Sequence, residues 1–139
     1  MSDLLSMVHG HYAALNHGDL DEAAAYFADD VETITPGGTL QGVEAFRALG
    51  EGFLAAVPDM HHDIVRTFED GDTIVVEGVY SGTQTGPLQS PQGTIPASGN
   101  AFAFPYVDIM QAKDGKCVSH RVYWDNVTFL AQIGAIPAP

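Results

Sequence analysis

The sequence is poor in basic residues, with 5 Lys and Arg against 18 Asp and Glu and a formal net charge of -13. A surface of this sign repels phosphate backbones and anionic lipid headgroups, so nucleic acids and membrane surfaces are poor partners. The same field disfavours an anionic substrate. The composition therefore favours a neutral, hydrophobic small molecule as the ligand.

Cysteine and long apolar runs are also scarce. Cys117 is the single cysteine, which excludes an intramolecular disulfide and suits a reducing cytoplasm. No run approaches the roughly 18 apolar residues of a membrane helix, and Met1–Leu5 lacks the features of a signal peptide. We therefore expect a cytoplasmic protein.

The sequence contains no pattern that predicts a cofactor. A Gly-x-Gly-x-x-Gly nucleotide fingerprint is absent. His61 and His62 are adjacent on a predicted strand, so their side chains should point to opposite faces and cannot easily bind one ion. We expect neither a metal nor a nucleotide cofactor.

Hydrophobic periodicity divides the chain into helices followed by strands. Helical spacing predicts three N-terminal helices, at about 3–17, 20–28 and 43–57. Asp19 and Glu22 have the spacing of a capping box at the start of the second helix. Strand composition is found at about 31–35, 60–68, 73–84, 101–112 and 117–126.

The connections between the later strands predict their arrangement. Asp70-Gly71 and Asp114-Gly115 are typical of tight hairpin turns, so the last four strands should be antiparallel neighbours. Helices followed by strands indicate a single α+β domain over residues 1–139, a curved antiparallel sheet with helices on one face. Residues 85–99 contain three Pro and three Gly and read as a loop without regular structure. This loop is either a lid or a segment that packs against a second subunit.

The C-terminal strand contains the residues that most suggest chemistry. Asp125 follows Trp124, the only tryptophan, where the strand meets a short apolar helix. An apolar pocket there would raise the pKa of the carboxyl group and suit it to proton transfer. Asp125 also has the position of a helix N-cap, which is the structural alternative. Strict alternation places His120 and Trp124 on one face and Asp125 on the other, so His120 and Asp125 can meet only through a bulge.

Several short motifs, taken in order, carry a family resemblance. They are His17–Glu22, Tyr26–Asp30, Pro58–His61, Gly82–Gly86, Tyr123–Asp125 and Leu130–Gly134. Together they resemble the SnoaL-like polyketide cyclases of the nuclear-transport-factor-2-like (NTF2-like) superfamily, over nearly the whole chain. The resemblance implies a cone in which three N-terminal helices close over a strongly bent sheet around an apolar cavity. It also implies a homodimer formed through the outer face of the sheet.

The resemblance also implies site residues. Cyclases of this group use an Asp near the end of the last strand as the acid/base, and Asp125 is the nearest match. Independently of the resemblance, His120 on the same strand is a second catalytic candidate, since histidine is the commonest proton-transfer side chain near neutral pH. Similar sequences often carry another carboxylate where this chain has Val122. The expected substrate-binding residues are Tyr12, Asp59, His61 and Trp124. Tyr12 would polarise a substrate carbonyl, or else be a core tyrosine bonded to the backbone.

Two functions follow as expectations. The first is an enzyme that transfers a proton next to a carbonyl of a neutral polycyclic or terpenoid-like substrate, leading to cyclisation, isomerisation or dehydration. The alternative is a non-catalytic domain that binds a hydrophobic ligand or dimerises as an accessory domain. Val122 and the opposite faces of His120 and Asp125 favour the alternative.

Overall fold

The computed structural model describes residues 1–138. Its helices are α1 (Asp3–Asn16), α2 (Leu20–Ala25), α3 (Val43–Ala56) and α4 (Asn126–Gln132). Its strands are β1 (Phe27–Thr35), β2 (Gly38–Gln41), β3 (His61–Asp70), β4 (Thr73–Thr83), β5 (Leu88–Ser90), β6 (Gly93–Ile95), β7 (Ala101–Lys113) and β8 (Lys116–Trp124). The main sheet has the order β2-β1-β8-β7-β4-β3. The predicted α+β class is confirmed.

The three predicted N-terminal helices are present, and local signals explain their ends. Ser2 caps α1 by accepting a hydrogen bond from the backbone of Leu5. Asp19 accepts from the backbone N–H of Glu22 at 3.0 Å, as the capping pattern predicted. Helix α2 is shorter than predicted because Phe27 already pairs with β8 as the first residue of β1.

The last four long strands form the predicted antiparallel meander. Strand β3 pairs with β4, β4 with β7, and β7 with β8. The β7–β8 turn has positive φ angles at Asp114 (53°) and Gly115 (80°), which suit a type I′ hairpin. Strand β2 and the parallel pairing of β1 with β8 were not predicted from the sequence. That pairing joins strands far apart in the chain, so no turn signal announces it.

Alternation along β7 defines the inner face of the sheet. Every second residue is buried: Phe102, Phe104, Tyr106, Asp108 and Met110. Register shifts occur in β3 between Ile64 and Arg66, and where β7 meets β8 near Gln111. Such bulges bend a strand and increase its twist. The inner face therefore curves around the helices.

The segment 85–99 is more ordered than predicted, because it contains the β5–β6 hairpin. The backbone N–H groups of Thr85 and Gly86 both donate to the carbonyl of Ala56, at the end of α3. Leu88 is buried against the core. These contacts attach the hairpin to the last turn of α3.

The outer face of the sheet exposes three large side chains, Val65, Phe68 and Tyr123. The homodimer expected through this face stays a prediction, which light scattering would test. Within residues 1–138, none of the helices has the length and apolarity needed to cross a membrane.

Candidate active site

A cavity of about 120 Å³ lies between the inner face of the sheet and helices α1 and α3. Much of its wall is apolar, including Leu15, Phe46, Phe53, Met60, Phe104 and Val122. The expectation of an apolar cavity enclosed by helices and a bent sheet therefore holds. The polar groups in its wall decide what chemistry the cavity can support.

Two buried ionisable side chains face each other in this cavity. Asp108 lies on β7 and His120 on β8, and they are 3% and 5% exposed. Asp108 pairs with Val122 and His120 with Met110, so the two side chains are diagonal neighbours on the inner face. The distance from His120 Nε2 to Asp108 Oδ1 is 3.4 Å. We call these two residues the acid–base pair.

The acid–base pair has unused hydrogen-bonding capacity. Among the described residues, both ring nitrogens of His120 and Oδ1 of Asp108 lack a hydrogen-bond partner. Most buried polar groups in folded proteins are partnered, because an unpaired one costs about 1–3 kcal/mol. Catalytic hydrogen bonds are often loose in ligand-free structures and shorten when substrate binds. The unpaired atoms of Asp108 and His120 could therefore form hydrogen bonds with a bound ligand.

Aromatic rings surround His120. The centroids of Phe27, Phe46 and His11 lie 5.3, 5.9 and 6.4 Å from that of its imidazole. His11 is only 1% exposed, so it belongs to the core. Its Nδ1 donates to the carbonyl of Ala23 at 2.9 Å, since a carbonyl can only accept. Burial lowers the pKa of His11 to about 3, so the ring is neutral at pH 7.

A second group of polar side chains lies farther along the cavity. We call His62 of β3, Tyr80 of β4 and Tyr106 of β7 the tyrosine–histidine cluster. The centroid of His62 lies 4.6 Å from that of Tyr80 and 5.7 Å from that of Tyr106. Both phenolic oxygens and Nδ1 of His62 are buried without a partner among the described residues. Tyr12 lies between the cluster and His11, with its hydroxyl also unpartnered.

Asp125 lies outside this cavity, at the N-terminus of α4. Its Oδ1 accepts from the backbone N–H groups of Val127 and Thr128, and its Oδ2 accepts from the hydroxyl of Thr128 at 2.8 Å. These hydrogen bonds, first that from the Thr128 side chain, lower the pKa of Asp125. The expectation of a raised pKa in an apolar pocket was wrong, because the carboxylate is an exposed helix cap.

Asp59 and His61 also lie outside the cavity wall. Asp59 accepts from both the backbone N–H and the hydroxyl of Thr83, so it joins two chain segments. His61 is exposed, and its Nε2 lies 2.9 Å from Oδ1 of Asp63. His61 was the histidine expected to bind substrate, but strand alternation turns His62 inward instead.

The other expected site residues, Tyr12, His120 and Trp124, all line the cavity. Trp124 donates through Nε1 to the side chain of Asn126 at 3.1 Å, which holds the indole in place. Among residues 1–138, no three His, Cys, Asp or Glu side chains are grouped so that they could hold a metal ion. The cavity thus combines apolar walls with histidine, tyrosine and aspartate side chains, as a site for proton transfer requires.

Comparison with known proteins identifies the family. The profile of the SnoaL-like polyketide cyclases matches residues 6–133. The chain belongs to the SnoaL-like polyketide cyclase family. No protein of curated function matches the sequence significantly.

Solved structures agree with the SnoaL-like assignment. IdmH from Streptomyces antibioticus, a proposed polyketide cyclase, is 28% identical, with 93% of this chain and 96% of that chain covered and a TM-score of 0.79. TsrD from Streptomyces laurentii is 26% identical, with 96% of both chains covered and a TM-score of 0.84. A proposed SnoaL-like polyketide cyclase from Jannaschia sp. CCS1 is 20% identical, with 97% and 94% covered and a TM-score of 0.85, which supports the fold.

The buried carboxylate of this SnoaL-like chain is Asp108 on β7, whereas similar sequences often carry one at position 122 on the neighbouring strand β8. Val122 lines the cavity directly opposite Asp108 in the β7–β8 ladder. Asp108 was not among the site residues expected from the sequence. A signal was present: Asp108 has the same parity as Phe104 and Tyr106 in an alternating strand, so an acid occupies an inward position.

Proposed function

We propose that this protein is an enzyme that transfers a proton at a carbon next to a carbonyl group. The observation that carries the proposal is the acid–base pair: Asp108 and His120 are buried, unpartnered and 3.4 Å apart in an apolar cavity. The substrate class is a neutral, hydrophobic polycyclic or terpenoid-like carbonyl compound, because the cavity wall is largely apolar and the chain carries a net charge of -13.

In the proposed reaction the carboxylate of Asp108 removes a proton from the carbon next to the carbonyl. The electron pair of the broken C–H bond forms the carbon–carbon double bond of an enolate, and the carbonyl π pair moves onto oxygen. A hydrogen bond from His120 or Tyr12 stabilises that oxygen. Asp125, the base expected from the sequence, has no part in this scheme because its carboxylate caps α4 at the surface.

The enolate can then react in three ways. Attack on a second carbonyl of the same molecule closes a ring, protonation at another carbon isomerises the substrate, and loss of a neighbouring hydroxyl dehydrates it. We favour ring closure, because the family to which the chain belongs is described by polyketide cyclisation. In each case the proton held by Asp108 is available for return to product or leaving group, so no redox cofactor is consumed.

The alternative is a domain that binds a hydrophobic ligand without turnover. Val122, which stands where similar sequences carry a carboxylate, favours this alternative, as does the absence of a hydrogen bond within the acid–base pair. It predicts binding of carbonyl compounds with no proton exchange. One assay therefore separates the two functions.

The test uses 2-tetralone, a neutral bicyclic ketone, in D₂O. Proton NMR follows the replacement of the hydrogens next to its carbonyl by deuterium, relative to the rate without protein. We expect acceleration by the wild-type protein and a roughly 10²- to 10⁴-fold loss in Asp108→Asn. Asp125→Asn makes the same chemical change at the exposed cap and should retain the rate. An unchanged rate in Asp108→Asn would exclude this residue as the base.

A further inference from the structure

His120 of the acid–base pair and His62 of the tyrosine–histidine cluster lie at different ends of the cavity, with Asp108 and Tyr106 between them on β7. The ring neighbours of His120 are His11, Phe27 and Phe46. Those of His62 are a different set, namely Tyr12, Tyr80 and Tyr106. In the sheet, β8 and β3 are separated by β7 and β4. The proposed reaction uses Asp108 with His120 or Tyr12, and it leaves His62, Tyr80 and Tyr106 without a role.

His62 is held inward by contacts of its own backbone. Its N–H donates to Oδ1 of Asn16 at 2.7 Å, and its carbonyl accepts from Nδ2 of Asn16 at 3.1 Å. Since β3 is the edge strand, these bonds occupy backbone groups that face away from β4. His62 and Tyr80 are therefore a non-hydrogen-bonded pair, the type in which opposing side chains lie closest.

The position of Tyr106, the third member of the cluster, depends on a glycine in the neighbouring strand. Tyr106 pairs with Gly78 of β4, and a side chain at Gly78 would collide with the end of its phenol. The glycine thus lets the ring of Tyr106 cross β4 towards His62. Three strands position three polar groups around one part of the cavity.

These groups are uncharged near neutral pH. Burial, and secondly the neighbouring His61, lower the pKa of His62 to about 4. Burial raises the pKa of both Tyr80 and Tyr106, with Asp59 and Asp63 respectively as second contributions. An anionic ligand group would lose its water here and face the nearby carboxylates of Asp59 and Asp63. A neutral hydroxyl or carbonyl oxygen would instead satisfy hydrogen-bonding groups that otherwise stay unpaired.

We propose that the tyrosine–histidine cluster is a specificity subsite that binds a neutral oxygen substituent of the substrate, remote from the reacting carbon. His62 is its central residue. The proposal rests on the proposed function for the position of the reacting end. It narrows the substrate to an oxygenated ring compound with one carbonyl near Asp108 and a second, neutral oxygen near His62.

The test compares the binding of 2-tetralone and 6-hydroxy-2-tetralone at pH 7 by isothermal titration calorimetry. The two probes differ by one phenol hydroxyl at the end opposite the carbonyl. We expect the hydroxyl to tighten binding by wild-type protein about tenfold or more, since a lone buried partner group gains a hydrogen bond. His62→Phe should abolish this gain and leave the affinity for 2-tetralone unchanged. His61→Phe, at the exposed neighbour, should leave both affinities unchanged.

Other outcomes would overturn the subsite. The subsite is contradicted if wild-type protein does not bind 6-hydroxy-2-tetralone more tightly than 2-tetralone, and this includes the case in which it binds neither ketone. A gain that survives His62→Phe but is lost in Asp108→Asn also contradicts it, because the ligand would then be bound the other way round. Thermal unfolding of His62→Phe checks that the variant is folded. Tighter binding of the hydroxylated ketone without deuterium exchange would support the subsite and reject the enzymatic function. Deuterium exchange without tighter binding of the hydroxylated ketone would support the enzymatic function and reject the subsite.

Discussion

Gln84 and the acid–base pair are both buried, yet they use their polar atoms in opposite ways. Gln84 donates to the carbonyls of Gly86 and Pro96, and its oxygen accepts from the N–H and hydroxyl of Ser98. Asp108 Oδ1 and both nitrogens of His120 have no partner among the described residues. Satisfied buried groups stabilise a structure, whereas unsatisfied ones reduce stability and persist where a ligand can use them. The hydrogen bonds of Gln84 tie together several residues of the 85–99 segment, whereas the atoms of the acid–base pair are unpaired.

The largest change in stability should come from the satisfied region. Gln84→Leu leaves four hydrogen-bonding groups of the segment without partners, so we expect the free energy of unfolding to fall by about 3 kcal/mol. Denaturant unfolding measures it. Gln89→Leu, at an exposed glutamine of the same segment, should change stability by less than about 0.5 kcal/mol. Equal losses in both variants would show that the buried network has no special role.

Acid should lower the free energy of unfolding, because the buried histidines of the cavity are neutral in the folded protein. The folded-state pKa of His62, about 4, lies below its ordinary value of 6.5, so the unfolded chain binds the proton first. The stabilisation is complete above about pH 6.5 and is lost as the pH falls towards 4, by about 3 kcal/mol for this residue. His11, with a pKa of about 3, extends the loss to lower pH.

The variant that tests this pH dependence is His62→Phe. Its free energy of unfolding should fall less steeply between pH 6.5 and 4 than that of the wild-type protein. His61→Phe removes only the second contribution to the lowered pKa of His62, so it should change the slope less than His62→Phe does. The interpretation is rejected if the slopes of wild type and His62→Phe coincide.

A smaller effect is expected at the helix cap. Asp125→Ala removes the acceptor for two backbone N–H groups and one hydroxyl at the start of α4. The melting temperature should fall by about 4 °C, as for the loss of a good N-cap in a domain of this size. Asp125→Asn, which can still cap, should recover most of that loss. A large fall in deuterium exchange in Asp125→Asn would instead restore Asp125 as a catalytic candidate.

The smallest stability effect should be at the unsatisfied pair itself. Asp108→Asn keeps the shape of the side chain and breaks no hydrogen bond at Oδ1, so we expect the free energy of unfolding to change by less than about 0.5 kcal/mol. The same variant should no longer accelerate the exchange of deuterium into 2-tetralone. A loss of stability comparable to that of Gln84→Leu would show that the carboxylate is structural.

Local signals predicted most of the fold. The Asp19–Glu22 cap, the turns at 70–71 and 114–115 and the change of hydrophobic period are short-range features, and each corresponds to an element of the structure. Alternation also predicted that His120 and Trp124 share a face, and both line the cavity. The β5–β6 hairpin was missed because its strands have only three residues each.

The site was less predictable, because its members come from separate elements. Asp125 has the residue type of a base, but its carboxylate oxygens accept hydrogen bonds at the N-terminus of α4. These hydrogen bonds depend on the backbone path of the residues that follow. The choice between His61 and His62 depended on strand phase, which one residue reverses. Asp108 and His120 approach only because β7 and β8 pair in one register.

By itself, the sequence determined the α+β class, the order of the helices and strands, the antiparallel meander and the family, because these depend on periodicity, turn residues and ordered motifs. Only the tertiary structure decided which carboxylate is enclosed and which is exposed. It also decided that Asn16 holds His62 inward and that Gln84 is fully satisfied while Asp108 is not. Burial and hydrogen-bond partnership are properties of atoms brought together from distant parts of the chain, and no local pattern specifies them.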